Sequence, residues 1–186
     1  MYKSGLLLAV LGAVSMSTMA ADNGHGKVNF IGEIVDAPCS ISPESIDQTV
    51  DLGQISNTTL AGGGSSPVQN FTIELQNCDF SGDWENKNKI NLTFSGAESA
   101  AGTGLLGVTG FSGADTAKAG NVGIQINDPA NKQVIMGQQL PVISTLQGGS
   151  NTLLFSSFLK GADGKAATDI PLGQFTAVTN FTITYN

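Results

Sequence analysis

Apolar and polar side chains alternate with a period of two residues along most of this chain, and helical periodicity is nearly absent. Successive side chains of a β-strand point to opposite faces, so the alternation predicts strands that bury one face. The 24 glycines and the scarcity of aromatic residues favour many short strands joined by tight turns. The pattern therefore predicts an all-β chain that forms one sandwich domain.

Beyond its first forty residues, the chain has seven stretches with this alternation, and they predict strands at 71–75, 90–94, 122–126, 133–136, 142–146, 152–160 and 175–185. Cys78 is out of phase with the strand before it and is expected at a bulge or a strand end. The last stretch is the clearest strand, because five apolar side chains share one face: Phe175, Ala177, Phe181, Ile183 and Tyr185.

The first residues have the anatomy of a secretory signal peptide. Lys3 gives a positive start, residues 6–14 are apolar but too few to span a bilayer, and Ala20 ends a small-residue cleavage motif. Cleavage is expected after Ala20, with Ala21 as the second choice. The predicted organisation is a signal peptide, an N-terminal extension and a single domain, at residues 1–20, 21–34 and 35–186.

Charge and cysteine content argue against several functions. The net charge is −7, from 8 lysines without arginine and 15 acidic residues, which disfavours binding to nucleic acid or anionic lipid. In an exported chain, Cys39 and Cys78 are interpreted as one structural disulfide rather than a redox pair or a metal site. His25 has no partner in a catalytic or metal-binding motif. We therefore expect neither an enzyme nor a cofactor nor a small-molecule substrate.

An alternating series begins at Gly26 and changes phase after Ile34. Before the change, one face carries Val28, Phe30, Gly32 and Ile34. After it, the apolar series moves to Val35, Ala37, Cys39 and Ile41. Because a slip of one residue sends side chains to the opposite face, these residues are interpreted as two functional strands joined without a loop.

Two features of the predicted strands do not fit a closed domain. Gly32 lies inside the first strand, where glycine weakens a strand unless another chain must approach closely. The final strand, 175–185, is so apolar on one face that it requires neighbours on both sides. Both features fit a strand at 26–34, here named the donor segment, that leaves its own domain and fills a groove in the next copy.

Residues 26–41 resemble the N-terminal signature of chaperone–usher pilus subunits, particularly the rod-forming subunits of P pili. Three further features agree with that family. Cys78 ends the run Phe-Thr-Ile-Glu-Leu-Gln-Asn-Cys, Tyr185 is the penultimate residue, and Gly173 is the fourteenth residue from the C-terminus. Together with the signal peptide, these features identify the chain as a member of the family across essentially the whole mature sequence.

The resemblance implies an incomplete immunoglobulin-like β-sandwich that lacks its last strand and is completed by donor-strand exchange. A periplasmic chaperone would lend a strand to the groove, and at an outer-membrane usher the donor segment of the next subunit would replace it. The inserted side chains would be Val28, Phe30, Gly32 and Ile34. The strand that binds the chaperone and forms the groove would contribute Gly173, Phe175, Ala177, Phe181, Ile183 and Tyr185.

The leading hypothesis is a structural subunit of an adhesive surface fimbria, exported through the periplasm to the cell surface. Its partners would be identical subunits in a linear homopolymer, the chaperone, the usher, and minor and tip pilins. The alternative within the family is a minor adaptor or terminator subunit, since the chain is too short for the extra domain of a tip adhesin. The alternative from another class is a monomeric secreted β-sandwich binding module.

Overall fold

The computed structural model describes residues 26–186 and places the chain in two units, Met1–Ile34 and Val35–Asn186. The predicted signal peptide, both cleavage positions and His25 lie outside the described residues. In the first unit, residues 26–34 have no regular secondary structure. The second unit consists of two β-sheets, and the prediction of an all-β fold is confirmed.

Both sheets of the second unit are antiparallel. One contains four strands in the order β1-β2-β6-β4, and the other contains three in the order β5-β3-β7. The strands in the described part of the chain are β1 Ser40–Ile41, β2 Gln69–Cys78, β3 Lys89–Ser95, β4 Val122–Asn127, β5 Ser144–Thr145, β6 Gly149–Gly161 and β7 Asn180–Tyr185. Short helices lie in the connections: α1 Pro43–Ile46, α2 Asn57–Leu60, and 3₁₀ turns at Ala61–Gly63, Gly82–Trp84, Gly113–Asn121 and Ala167–Asp169.

The main core lies between the two sheets. In the β2–β6 pair, Phe71 opposes Phe155 and Ile73 opposes Leu153. Phe94 of β3 packs edge-on against Phe155 from the other sheet, with ring centroids 5.2 Å apart. Alternating apolar side chains from both sheets therefore meet face to face, which is the arrangement that a period-two pattern predicts.

A second, smaller apolar cluster lies beside the main core. Its buried members are Leu60, Val108, Val122, Leu159 and Ile170. Ile124 and Ala177 pack against both clusters, so the two clusters meet at these side chains.

Two predicted strands differ from the structure because alternation reports burial and not hydrogen bonding. Residues 133–136 make only one isolated bridge, at Gln133, before the chain turns, so the prediction of a strand there is wrong. Val134 and Met136 are nevertheless buried, which accounts for the alternation. The stretch 142–146 is reduced to β5, because on either side of β5 its N–H groups bond only at isolated positions, Ile143 to the Ile90 carbonyl and Leu146 to the Asn88 carbonyl just before β3.

The final alternating stretch is also shorter as a strand than predicted. β7 begins at Asn180, and the residues before it form one isolated bridge, in which Thr176 and Thr109 exchange two hydrogen bonds of 2.8 Å. The pairing partner thus changes from the Thr109 segment to β3. The apolar face continues through this change, whereas the hydrogen-bonded ladder does not.

Of the two strands predicted around Ile34, the first is not formed in the single chain and the second is reduced to β1. Residues 26–35 are irregular, residues 36–39 bend, and β1 starts only at Ser40. A strand requires hydrogen-bonding neighbours for its backbone, and side-chain alternation alone does not supply them. Pro38 also removes a backbone donor just before β1.

Cys39 and Cys78 form a disulfide, with Cα atoms 4.1 Å apart. Cys78 is the last residue of β2, and the register with β6 shifts between Leu75 and Cys78. The prediction of a bulge or strand end at Cys78 is therefore confirmed. The disulfide ties the residue before β1 to the end of β2 and so fixes the start of the segment that follows.

Candidate functional site

The second unit has an open apolar groove with a cavity volume of about 1310 Å³. One wall consists of residues 45–55, and the other of residues 170–181. Apolar side chains from both core clusters line it between these walls, among them Phe71, Phe94, Leu106, Ile124, Ile126 and Leu159. The groove therefore gives access to the interior of the sandwich.

β7 borders this groove as an edge strand. In the described part of the chain it pairs with β3 and with no other strand. Its inward side chains, Phe181 and Ile183, are only half-buried, whereas Phe94 and Leu92, which oppose them on β3, are buried. The inward face of β7 is thus covered on one side only.

The backbone of β7 also directs polar groups toward its free edge. Lys89 and Asn186 exchange two N–H···O bonds, of 3.1 and 2.8 Å. Such hydrogen-bonded pairs alternate with non-hydrogen-bonded pairs along an antiparallel ladder. The N–H and C=O groups of Phe181, Ile183 and Tyr185 therefore point away from β3. They form a row of donors and acceptors that an added strand could use.

The wall continues upstream of β7 at Phe175 and Ala177. The two-way hydrogen bonds between Thr176 and Thr109 leave the backbone groups of these two residues pointing away from the Thr109 segment. Phe175 packs against Phe111, with ring centroids 6.3 Å apart. Both stretches of the wall therefore present half-buried side chains and free backbone groups on one edge.

The opposite wall is irregular and is attached to β2 through polar side chains. Ser45 Oγ accepts a hydrogen bond from the Glu74 N–H at 2.9 Å, and Gln48 Nε2 donates to the Thr72 carbonyl at 3.1 Å. β1 pairs with β2 only at Leu75 and Gln76. Farther along this edge of β2, the side chains of Ser45 and Gln48 bond to the backbone in place of a strand. This arrangement keeps the groove open between the two sheets.

The residues predicted for the groove strand lie along the cavity or continue its wall. The cavity is lined by Gly173, Phe175, Ala177 and Phe181. Ile183 and Tyr185 continue the same face of β7 beyond the cavity and pack against the main core. Tyr185 also meets Trp84 edge-on at 5.9 Å, and burial raises the pKa of its phenol above the usual 10.0.

The donor segment carries apolar side chains that are exposed to solvent. Phe30 is 92% exposed, Val28 is 75% exposed, and Ile34 is fully exposed. A Cβ added to Gly32 would meet no atom within 4 Å. Ile31 lies on the opposite face and is 99% exposed, an apolar position that the analysis of alternation did not single out.

Asp79 lies in an exposed turn, and hydrogen bonds within that turn account for the low pKa of its carboxyl. Its Oδ1 accepts a hydrogen bond from the Ser81 N–H at 3.0 Å. The Ser81 hydroxyl and then its backbone N–H hold the pKa of this carboxyl below its usual 3.8.

Within residues 26–186, no group of three or more acidic, histidine or cysteine side chains is placed to hold a metal ion. No helix in that range is both long and apolar enough to cross a membrane.

Sequence reasoning missed the second wall and part of the groove lining. Val50, Leu52 and Ile55 are half-buried, but their irregular spacing has neither the period of a strand nor that of a helix. Leu106 and Phe111 lie in a glycine-rich stretch outside the seven predicted strands, yet both line the groove. Large apolar residues within a loop are the signal that could have revealed them.

The fold and the groove define an open β-sandwich whose core is accessible beside an unpaired strand edge. The fimbrial protein family matches this chain over residues 28–186. Fimbria A protein of Serratia marcescens is 44% identical over 182 residues, which cover 97% of each chain. The Major MR/P fimbria protein of Proteus mirabilis is 40% identical over 185 residues, covering 98% of this chain and 97% of that protein.

Two solved structures are similar as well. A chain from a chaperone–usher pilus matches with a TM-score of 0.73 and 34% identity, covering 88% of this chain and 97% of its own. The P pilus rod subunit PapA matches with a TM-score of 0.66 and 33% identity, covering 81% of this chain and all of its own. This chain belongs to the fimbrial protein family, as a structural subunit of the chaperone–usher type with an immunoglobulin-like fold. The family is structural rather than enzymatic, and its members build polymeric fibres on the cell surface.

Proposed function

We propose that copies of this chain polymerise when the donor segment of one copy enters the groove of the next. The observation that carries this proposal is the free edge of β7, where half-buried apolar side chains accompany unpaired backbone groups. The donor segment supplies what that edge needs, namely an alternating apolar face and a backbone free to pair. In this reading Val28, Phe30, Gly32 and Ile34 face the core of the receiving subunit.

Burial of the donor side chains accounts for a large part of the stability of the joint. Burying an exposed Val, Phe or Ile contributes roughly 1.5–3 kcal/mol, so three such side chains contribute roughly 5–9 kcal/mol. Backbone hydrogen bonds along β7 add to this and orient the segment. Because dissociation exposes both the apolar face and the strand edge again, release from the fibre is expected to be slow.

The same groove explains why the subunit needs help before it assembles. An exposed apolar edge strand promotes unwanted pairing between chains. A periplasmic chaperone that lends a temporary strand protects this edge, and an outer-membrane usher is where the donor segment of the next subunit replaces it. Export through the periplasm to a fimbria at the cell surface follows from this route.

Within the fibre, the proposed role is that of the major subunit. The curated relatives include a protein named as a major fimbria protein, and PapA is named as a rod subunit. An exposed donor segment and a groove in the same chain allow a linear homopolymer, with minor and tip pilins as partners at its ends. A minor adaptor would have the same two features but would occur once or a few times in each fibre, whereas a terminator would have to lack one of them to end the chain.

A pair of asparagine substitutions in the donor segment tests the proposal. Gly32→Asn places a polar side chain on the inserted face, whereas Ile31→Asn places the same side chain on the opposite face. Electron microscopy should show fibres for the Ile31 variant and none for the Gly32 variant, while both still bind the chaperone. Normal fibres from Gly32→Asn would contradict the proposal, as would a stable monomeric subunit in a chaperone-free preparation, which a closed binding module predicts.

A further inference from the structure

The outer face of the four-stranded sheet carries an apolar patch that contains no charged side chain. Leu154 is 52% exposed, Val68 is 56% exposed, and Phe158 is half-buried on the same face. We propose that this patch packs against the same patch of a second copy of the chain that belongs to a neighbouring fibre. The contact joins fibres side by side and lies on a surface separate from the groove.

The pairing of β2 with β6 brings the residues of this patch together. Phe155 is buried in the core, so every second residue of β6, counted from its neighbours, points outward. Opposed residues of two paired strands have their side chains on the same face, which extends the patch from β6 to β2. The patch, here named the neutral face, consists of Val68, Asn70 and Thr72 along β2 and of Leu154, Ser156 and Phe158 on β6.

The neutral face contrasts with the charge of the chain as a whole. The net charge is −7 and the isoelectric point is about 4.4, so copies of the chain repel one another. β2 and β6 carry charged side chains only at Glu74 and Lys160, which lie beyond the two ends of the neutral face. A contact through this face therefore brings two acidic chains together without placing like charges opposite each other.

The polar side chains beside the neutral face already have hydrogen-bond partners. On β4, Gln125 lies opposite Phe158, and its Nε2 donates to Asn127 Oδ1 at 2.8 Å. Asn127 Nδ2 in turn donates to Asn131 Oδ1 at 3.1 Å. A polar group that is hydrogen-bonded within its own chain costs less free energy to bury than one that must give up water. The rim of the neutral face can therefore be covered at a low desolvation cost.

The size of the neutral face favours a contact between fibres over a stable dimer of free subunits. Two strands about 4.8 Å apart, followed over residues 154–158 at about 3.4 Å for each residue, give a face of roughly 10 by 14 Å. A stable interface buries about 800 Å² on each partner, so one such contact is weak. A fibre repeats the contact in its subunits, and many weak contacts in parallel hold two fibres together.

Symmetry also places this contact between two fibres. In a linear polymer whose subunits all point the same way, neighbouring copies meet through two different surfaces. A face that packs against itself requires a two-fold axis, and such an axis relates subunits of separate fibres. Two sheets that pack face to face in this way lie about 10 Å apart.

Glutamate substitutions at two equally exposed apolar positions test the proposal. Leu154→Glu places a charge on the neutral face, whereas the control Val142→Glu places the same charge just before β5, at a residue that is 50% exposed. Purified fibres would be sedimented at low speed over a range of fibre and sodium chloride concentrations and viewed by electron microscopy. Unsubstituted fibres should form side-by-side bundles, and more of them as salt screens the negative charge.

The expected difference between the two variants is large. Leu154→Glu should raise the fibre concentration at which half of the protein sediments by at least about tenfold, because the loss is repeated at every contact along the fibre. Val142→Glu should change that concentration by about twofold or less, as expected for a surface substitution outside the contact.

Each other outcome counts against the proposal. Single fibres in every unsubstituted preparation overturn it, as do Leu154→Glu fibres that bundle at the unsubstituted concentration. A changed diameter or helical pitch in single Leu154→Glu fibres also overturns it, because the neutral face would then be covered within one fibre. All of these readouts compare fibres that have already formed, so they do not depend on how one subunit joins the next.

A second pair of variants is available if Leu154→Glu gives no fibres. Thr72 lies directly opposite Leu154, so Thr72→Lys places a charge on the neutral face without changing an apolar residue. Thr72→Lys fibres should stay single, whereas fibres of the control Thr145→Lys, in β5, should bundle. The reverse result overturns the proposal.

Discussion

The loss of one donor side chain should be measurable as faster fibre dissociation. Phe30 is 92% exposed in the single chain and becomes buried in the groove of its neighbour in the proposed fibre. Truncating a buried Phe to Ala costs about 3–5 kcal/mol, because the transfer free energy is lost and a cavity is left behind. At 1.4 kcal/mol for each factor of ten, Phe30→Ala should release subunits about 100- to 4000-fold faster, since such losses fall mainly on the off-rate.

The matched control is Ile31→Ala, one residue away on the opposite face. Its side chain is 99% exposed in the single chain and is expected to remain outside the groove, so its loss should change the rate by about twofold or less. Purified fibres would be held at a fixed guanidinium concentration, and the appearance of free subunits followed by light scattering and unboiled gels. Equal rates for the two variants would refute the assignment of faces in the donor segment.

Three further changes act on the sandwich itself, and thermal denaturation of purified fibres can follow each of them. Removing the Cys39–Cys78 disulfide, whose residues are 39 positions apart, should cost about 4 kcal/mol in the loop-entropy model, and an unchanged midpoint would contradict this. Gly161→Ala should destabilise by about 3 kcal/mol, because the added Cβ would overlap the Leu60 carbonyl oxygen of α2, whereas the control Gly148→Ala, whose Cβ would lie 3.7 Å from the nearest atom, should change little. Burial raises the pKa of Tyr185 above 10.0. Its contribution to the free energy of unfolding should therefore be complete below pH 10.0 and fall as the pH rises through the folded-state pKa. Tyr185→Phe should abolish this loss.

Alternation predicted the hydrogen-bonded strands whose side chains are buried on one face. The β2 and β6 residues such as Phe71 and Leu153 were recognised because burial on one face is what alternation records. The same signal predicted a strand at 133–136, where Val134 and Met136 are buried without a ladder. The period of a sequence therefore locates buried faces better than it locates hydrogen bonds.

The candidate site was predictable in part, for a related reason. Alternation in the sequence predicts that Phe175, Ala177 and Phe181 share one face, and in the structure all three line the groove. This face is covered on one side only, because β7 pairs with β3 and with no other described strand. The alternation of side chains does not show which strands pair. The opposite wall at residues 45–55 depends on side-chain hydrogen bonds from Ser45 and Gln48, which leave no periodic signal.

Hydrogen exchange in assembled fibres tests the central claim most directly. If the donor segment pairs with the free edge of the groove wall, the amides of Phe175, Ala177 and Phe181 should exchange as slowly as that of Thr93 in β3. The donor segment itself should also be protected, because its backbone enters the same ladder. Rapid exchange at these three amides, in fibres where Thr93 remains protected, would contradict assembly by strand pairing at this edge.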